Sequence, residues 1–275
     1  GLSSSALHFF AQRDIQVYFL RPYGEDIARF GKSPMVSSLW RLQQEVTDQS
    51  RFTHIVRQQS IGRTVNCRNM LLKFVKSYED IGKSILEGLS QLQSCCRLIQ
   101  SSEELETLRE IGKKADSIYE DCLSEMIVHQ RSAFTVEGRD KRVCAPRFFA
   151  LRSFIYTLLS YDILASLEAC GLNPSIGYLH RNTGVTDELA YDMLSELGPF
   201  LADRAVFAMI NTMQVSPDDF IFDTLEVVRI TESAKRTIIN HWQKRKQETL
   251  IHPYLKAKIT AEMIPHLQGA LLTRY

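Results

Sequence analysis

The hydrophobic rhythm of the chain changes once. IQVYFL, residues 15–20, is a short apolar run of β-branched and aromatic side chains ended by RPYG, and DIARF, residues 26–30, resumes it. The pair predicts two strands. Ahead of them SALHFFAQRD predicts a short amphipathic helix, with Ser3, Ser4 or Ser5 as its cap. A lone hairpin with one helix is marginal in water, so this piece needs further strands or a neighbour to lean on. GKSP, residues 31–34, is the boundary, since Gly31 and Pro34 punctuate the chain where strand-like patterning stops. Beyond it apolar residues recur at spacings of three and four, and helices are predicted near 36–48, 51–78, 81–99, 102–131, 147–170, 187–212, 231–246 and 260–274. Pro199 kinks or divides the sixth of these. EGRDKRVCAPR, GLNPS and VSPDD read as ordered loops, and the fold class is mainly α.

Composition narrows the function classes. With 275 residues, 44% hydrophobic and 24% charged, the chain suits one large core or two modest domains. No apolar run approaches the roughly 20 residues of a membrane helix, so no span is expected. The six cysteines form no CxxC pair and no zinc-finger rhythm, which predicts reduced thiols in a cytoplasmic protein. GxSxG and GxxxxGK[ST] are both missing, and no cysteine has a local histidine to make it a nucleophile. Trp40 and Trp242 read as core or interface anchors.

The formal net charge of +1 does not advertise nucleic-acid binding, but its distribution is uneven. Residues 51–76 carry arginines and lysines and no acid, residues 101–125 are mostly acidic, and a second basic tract runs over 235–258. If the fold joins the two basic tracts, they make a channel that attracts phosphate; if not, they are solvated helix faces.

The richest stretch is GYLHRNTGVTDELAYDMLSELG, residues 177–198. In a helix starting near Thr186, Asp192 and Glu196 share a face, with Glu188 one turn earlier and Ser195 beside them. Gly171 can end the preceding helix and Pro174 restrains the crossing, which lets His180 reach Asp192. One imidazole and one or two carboxylates suit Mg²⁺ or Mn²⁺, although two ligands do not make a site. The plain alternative is a helix-capping His180 and a solvated Asp192.

These blocks resemble those of the CRISPR-associated adaptation integrases, metal-dependent nucleases that insert spacers into a CRISPR array. GLNPSIGYLH resembles the family's GLxPxxGxLH motif, and ELAYD its SLALD-like motif. IQVYFLRPYGEDIARF is similar to the end of the N-terminal β-domain, IGRTVNCRNMLL to the Lys/Arg and Asn helix, and the residues from Lys244 to Tyr275 to the closing helices. The resemblance implies that residues 1–31 end a small β-domain and that 35–275 form a helical DNA-binding and catalytic-type domain. It also implies a cytoplasmic prokaryotic protein of antiviral defence, working as a homodimer with a small ferredoxin-like partner on double-stranded DNA with 3′ overhangs. Loss of strands from the β-domain, by truncation or by nature, would leave the usual dimer contact incomplete.

By the same resemblance His180 and Asp192 match the catalytic histidine and first aspartate, with Glu196 as a further metal ligand. The glutamate of the LxGxEGxAxxIYF-like helix has no counterpart, because LREIGKKADSIYED puts Gly112 there, with Lys113 next. Ser195 replaces the acid three residues after Asp192, and Phe149 the asparagine of another block. Arg57, Arg63, Arg68, Lys244 and Arg245 are the expected phosphate contacts. The reading is a DNA-binding subunit of a spacer-acquisition assembly with impaired nuclease and integrase chemistry. An active Mg²⁺- or Mn²⁺-dependent enzyme using Glu110 or Glu196 instead is the alternative, and a non-catalytic protein scaffold the third.

Overall fold

The computed structural model describes residues 2–13, 15–20, 26–31, 38–45, 49–79, 82–137, 142–181, 184, 186–222 and 227–274. The RPYG turn and most of GKSP lie outside them. The chain opens with α1 (Ser4–Gln12), where Ser3 accepts the Ala6 N–H at 3.2 Å, and continues into β1 (Val17–Leu20) and β2 (Asp26–Phe30). The strands pair antiparallel with Val17 opposite Phe30. This hairpin leans on the body: the Tyr18 ring lies 4.8 Å from that of Tyr161, and Arg29 pairs with Glu168.

The helical body starts with α2 (Ser38–Gln44) and the 29-residue α3 (Gln49–Ser77), followed by α4 (Lys83–Ser101) and α5 (Leu105–Leu123). A short α6 (Arg131–Phe134) leads into strands β3 (Thr135–Glu137) and β4 (Arg142–Cys144) and then α7 (Pro146–Ala169). Next come α8 (Glu188–Gly198), one π-helical turn over Pro199–Asp203, and α9 (Arg204–Asn211). Strands β5 (Phe220–Phe222) and β6 (Val228–Ile230), α10 (Glu232–Gln247), strands β7 (Thr249–Ile251) and β8 (Lys258–Thr260), and α11 (Met263–Leu272) complete the order.

α3 is the central member, packed on α4, α5 and α8, while α7 packs on α8 and α11. The mainly helical body matches the expectation; three hairpins do not. β3–β4 occupies part of the expected EGRDKRVCAPR loop, β5–β6 follows VSPDD, and β7–β8 fills the gap between the helices expected over 231–246 and 260–274. Strands of three residues are too short for alternation to be legible in sequence. The helix expected over 102–131 ends at Leu123.

Among the described residues α7 is long and apolar enough, by length and composition, to cross a membrane. Its apolarity has a local cause, since Phe148, Leu151, Ile155, Leu159, Ile163 and Leu167 form a buried row in the core. Burying such a side chain contributes about 1.5–3 kcal/mol, so the row holds α7 in place. Arg152 on the same helix binds the buried Asp203 through Nε at 2.8 Å, and Tyr119 Oη donates to that carboxylate at 3.0 Å. Trp242 is buried in the core, and all six cysteines are free thiols.

Candidate active site and its surroundings

The segment between α7 and α8 is built by its glycines and proline. Gly171, at φ +76°, ends α7, and its successor Leu172 donates back to Leu167 O at 3.0 Å. Pro174 O accepts the N–H groups of Leu189 and Ala190, at 2.8 and 3.2 Å, and so satisfies donors in the first turn of α8. Gly177 passes so close to α8 that a Cβ there would lie 2.5 Å from Glu188 Cβ. The chain then curls over Asp192.

Asp192 is fully buried and both carboxylate oxygens are used. Oδ2 accepts from Tyr178 N at 2.8 Å and Leu179 N at 3.0 Å, and Oδ1 accepts from His180 N at 3.0 Å. His180 Nδ1 lies 2.7 Å from the same Oδ1. An ionised carboxylate only accepts, so Nδ1 carries the proton and Nε2 is the nitrogen able to act as base or ligand. The ring is 29% exposed and stands edge-on to Tyr191, 4.6 Å away. Asp192 is therefore neither solvated nor a spare oxygen donor; it fixes the turn and the imidazole.

α5 faces this turn. Arg109 Nε donates to Leu179 O at 3.3 Å, and one helical turn beyond Gly112 the carboxylate of Asp116 pairs with Arg63 of α3. Arg63 also donates to Ser195 O. That carbonyl needs an outside donor because its intrahelical partner four residues on is Pro199, which has no N–H. Pro199, expected to kink or divide the helix, stands where α8 gives way to a π turn ahead of α9. Gly112 lies between Arg109 and Asp116, and a Cβ there would meet nothing within 4 Å.

Glu196 looks elsewhere. Its Oε1 accepts from Gln268 Nε2 of α11 at 2.6 Å, and a Cβ on Gly62 of α3 would approach that oxygen to 2.7 Å. Burial pushes its carboxyl up to about 7, an effect the Gln268 hydrogen bond reduces and the Asp192 charge adds to. Ser195 Oγ donates to Asp192 O at 2.9 Å. Among the described residues no three His, Cys, Asp or Glu side chains converge on a common point, so His180, Asp192 and Glu196 do not assemble as a metal-binding group.

The other expected residues are scattered. Glu110 and Lys244 are exposed, and Phe149 is exposed beside Phe148. Arg57 is half-buried with Nε on Ser102 O at 3.0 Å, and Arg68 is half-buried. Arg63 is held by Asp116, and Arg245 is 4% exposed and pairs with Glu248, so these two guanidiniums are committed inside the fold. Sequence reasoning missed Gly62, Arg109, Asp116 and Gln268. Their roles come from contacts between helices distant in sequence, for which no local pattern exists.

A family described as CRISPR associated protein Cas1 matches residues 1–244. CRISPR-associated endonuclease Cas1 1 of Chlorobaculum tepidum is 32% identical over 270 residues, 96% of this chain and 78% of that protein. A Cas1 protein from Thermotoga maritima has a similar fold, with TM-score 0.75 at 19% identity over 100% of this chain and 82% of its own. A chain of a partial Cas6-RT-Cas1–Cas2 complex gives TM-score 0.72 at 22% identity over 100% and 82% of the two chains. The match across most of the sequence, together with the fold, places the chain in the CRISPR-associated Cas1 family.

Proposed function

We propose that the chain is a DNA-binding subunit of a spacer-acquisition assembly in which cutting and strand-joining are impaired. The observation that carries this is the bare position at Gly112: α5 touches the His180 turn through Arg109 and reaches α8 through Asp116 and Arg63, and between them stands no side chain. A divalent ion, which the family resemblance implies, does not fit the residues present. Asp192 has its oxygens filled, Ser195 donates its hydroxyl proton to a backbone carbonyl, and Glu196 faces α3 and α11. A carboxylate brings both an oxygen ligand and negative charge, and its loss commonly removes orders of magnitude in rate while DNA contacts elsewhere persist.

Support for DNA binding comes from family membership and from the cations of α3 and α10 that face outward. Lys73, Lys76 and Lys244 are exposed, and Arg57 and Arg68 half-exposed. The assembly is proposed as a homodimer bridged by a small partner, in keeping with a structural neighbour solved in a complex with Cas2. A cleavage and strand-joining assay with Mn²⁺ tests the reading. The native chain should match His180→Ala and Asp192→Ala at background, while binding duplex DNA in a salt-dependent way. Native activity lost in both variants would overturn it.

A further inference from the structure

Next to α8 lies a cleft of about 830 Å³, enclosed by α3, the π turn with α9, the β7–β8 hairpin and α11. Its volume falls within the range of small-ligand sites, about 300–1,000 Å³. It is separate from the His180 turn. Gly62 and Glu196 border it, whereas their neighbours Arg63 and Ser195, about 100° round their helices, meet on the α5 side. His180 and Asp192 do not line it.

The lining of the cleft combines two chemistries. One wall carries the amides of Asn66, Asn69 and Gln268 around the buried Glu196 carboxyl. Asn66 is fixed there by donating to Glu196 O at 2.9 Å, and Gln268 by donating to Oε1. An amide presents a donor and an acceptor side by side, the pattern that pairs with the edge of a nucleobase. At the rim, on the hairpin tip, Tyr254 is 67% exposed and offers an aromatic face for stacking.

The lining is also cationic. Arg204 and Arg274 both line the cleft, and the Lys73 amine outside it is pushed down by partial desolvation and then by the charges of Arg204 and Arg245. Glu248 lies 3.7 Å from Arg204 and also pairs with Arg245, so one carboxylate serves two guanidiniums. Arg274 adds a further positive charge. An anion is the complement of such a lining.

We propose that this cleft binds a single nucleotide, its base against the Asn66–Asn69–Gln268 wall and under Tyr254, its phosphate at Arg204 and Arg274. A free nucleoside monophosphate and the unpaired end of a DNA strand share that chemistry, and the former does not depend on the DNA-binding reading above.

Calorimetric titration of the full chain distinguishes the sources, using deoxynucleoside monophosphates, inorganic phosphate, a short single-stranded oligodeoxynucleotide and a blunt duplex. The exposed variants Tyr254→Ala and Arg274→Ala should each weaken nucleotide or single-strand binding roughly tenfold and leave the blunt duplex unchanged. Binding of monophosphates identifies a free nucleotide; binding of the oligonucleotide alone identifies a strand end. Inorganic phosphate binding as tightly as a nucleotide would overturn the base wall, and so would variants without effect. Duplex binding with neither nucleotide nor single-strand binding overturns this proposal and leaves the DNA-binding reading intact. Nucleotide binding without duplex binding does the reverse.

Discussion

His180 Nδ1 lies 2.7 Å from Asp192 Oδ1, on a carboxylate that also gathers the backbone N–H groups of residues 178, 179 and 180. Asp192 is thus a positioning residue before it is anything else. Asp192→Asn keeps its size but replaces one accepting oxygen by an N–H₂ group, so buried donors lose their partner. The expected cost is about 3 kcal/mol, against about 1 kcal/mol for the partly exposed His180→Ala. Urea unfolding of the two variants checks the order, and equal costs would refute the anchoring role.

Arg63 is coupled to Pro199 through Ser195 O. Arg63→Ala should cost about 1–3 kcal/mol, because both that carbonyl and Asp116 lose a donor. Pro199→Ala supplies an N–H that can serve Ser195 O, so the Arg63 substitution should cost less in that background. A double-mutant cycle measures the difference. Strict additivity would show that Arg63 does not compensate for the proline.

Glu196 predicts a pH dependence. Its folded carboxyl titrates at about 7, above the ordinary 4.5, so the fold favours the neutral form. The contribution is fully present below pH 4.5 and is lost as pH rises to about 7, with a cost on the order of 3 kcal/mol above that. Glu196→Gln removes the titration. The stability of Glu196→Gln minus that of the native chain should climb between those pH values and then level off, and a flat difference across them would sink the assignment.

Gly112 can take a side chain without a clash. Gly112→Glu should fold and gain up to about 1 kcal/mol, since glycine is a poor helix residue. Combined with Ser195→Asp, it returns carboxylates to the α5 and α8 faces that meet around Arg63. The pair should raise Mn²⁺-dependent cleavage above the native background, and His180→Ala in the same background should remove the gain. No gain in a folded double variant would mean that more than the missing carboxylates separates this site from an active one.

Much of the candidate site was legible because its determinants are local. Gly171, Pro174 and the spacing from His180 to Asp192 set a turn that only short-range sterics and helix geometry need to close. The same reading could not see that Asp192 has no oxygen to spare, since its donors become neighbours only when the turn folds back on α8. Arg63 and Arg245 show the converse. As sequence they are members of basic tracts, and the distant Asp116 and the nearby Glu248, both more exposed than their partners, tie them into ion pairs.

By itself the sequence determined the helical body, the turn ahead of α8 and the bare glycine on α5, all of them consequences of side-chain periodicity and backbone stereochemistry. Only the tertiary structure decided which way Glu196 faces, what satisfies Ser195 O, and that α3, the β7–β8 hairpin and α11 enclose a cleft. Those depend on which helices become neighbours, a property of the packed core as a whole and of no single segment.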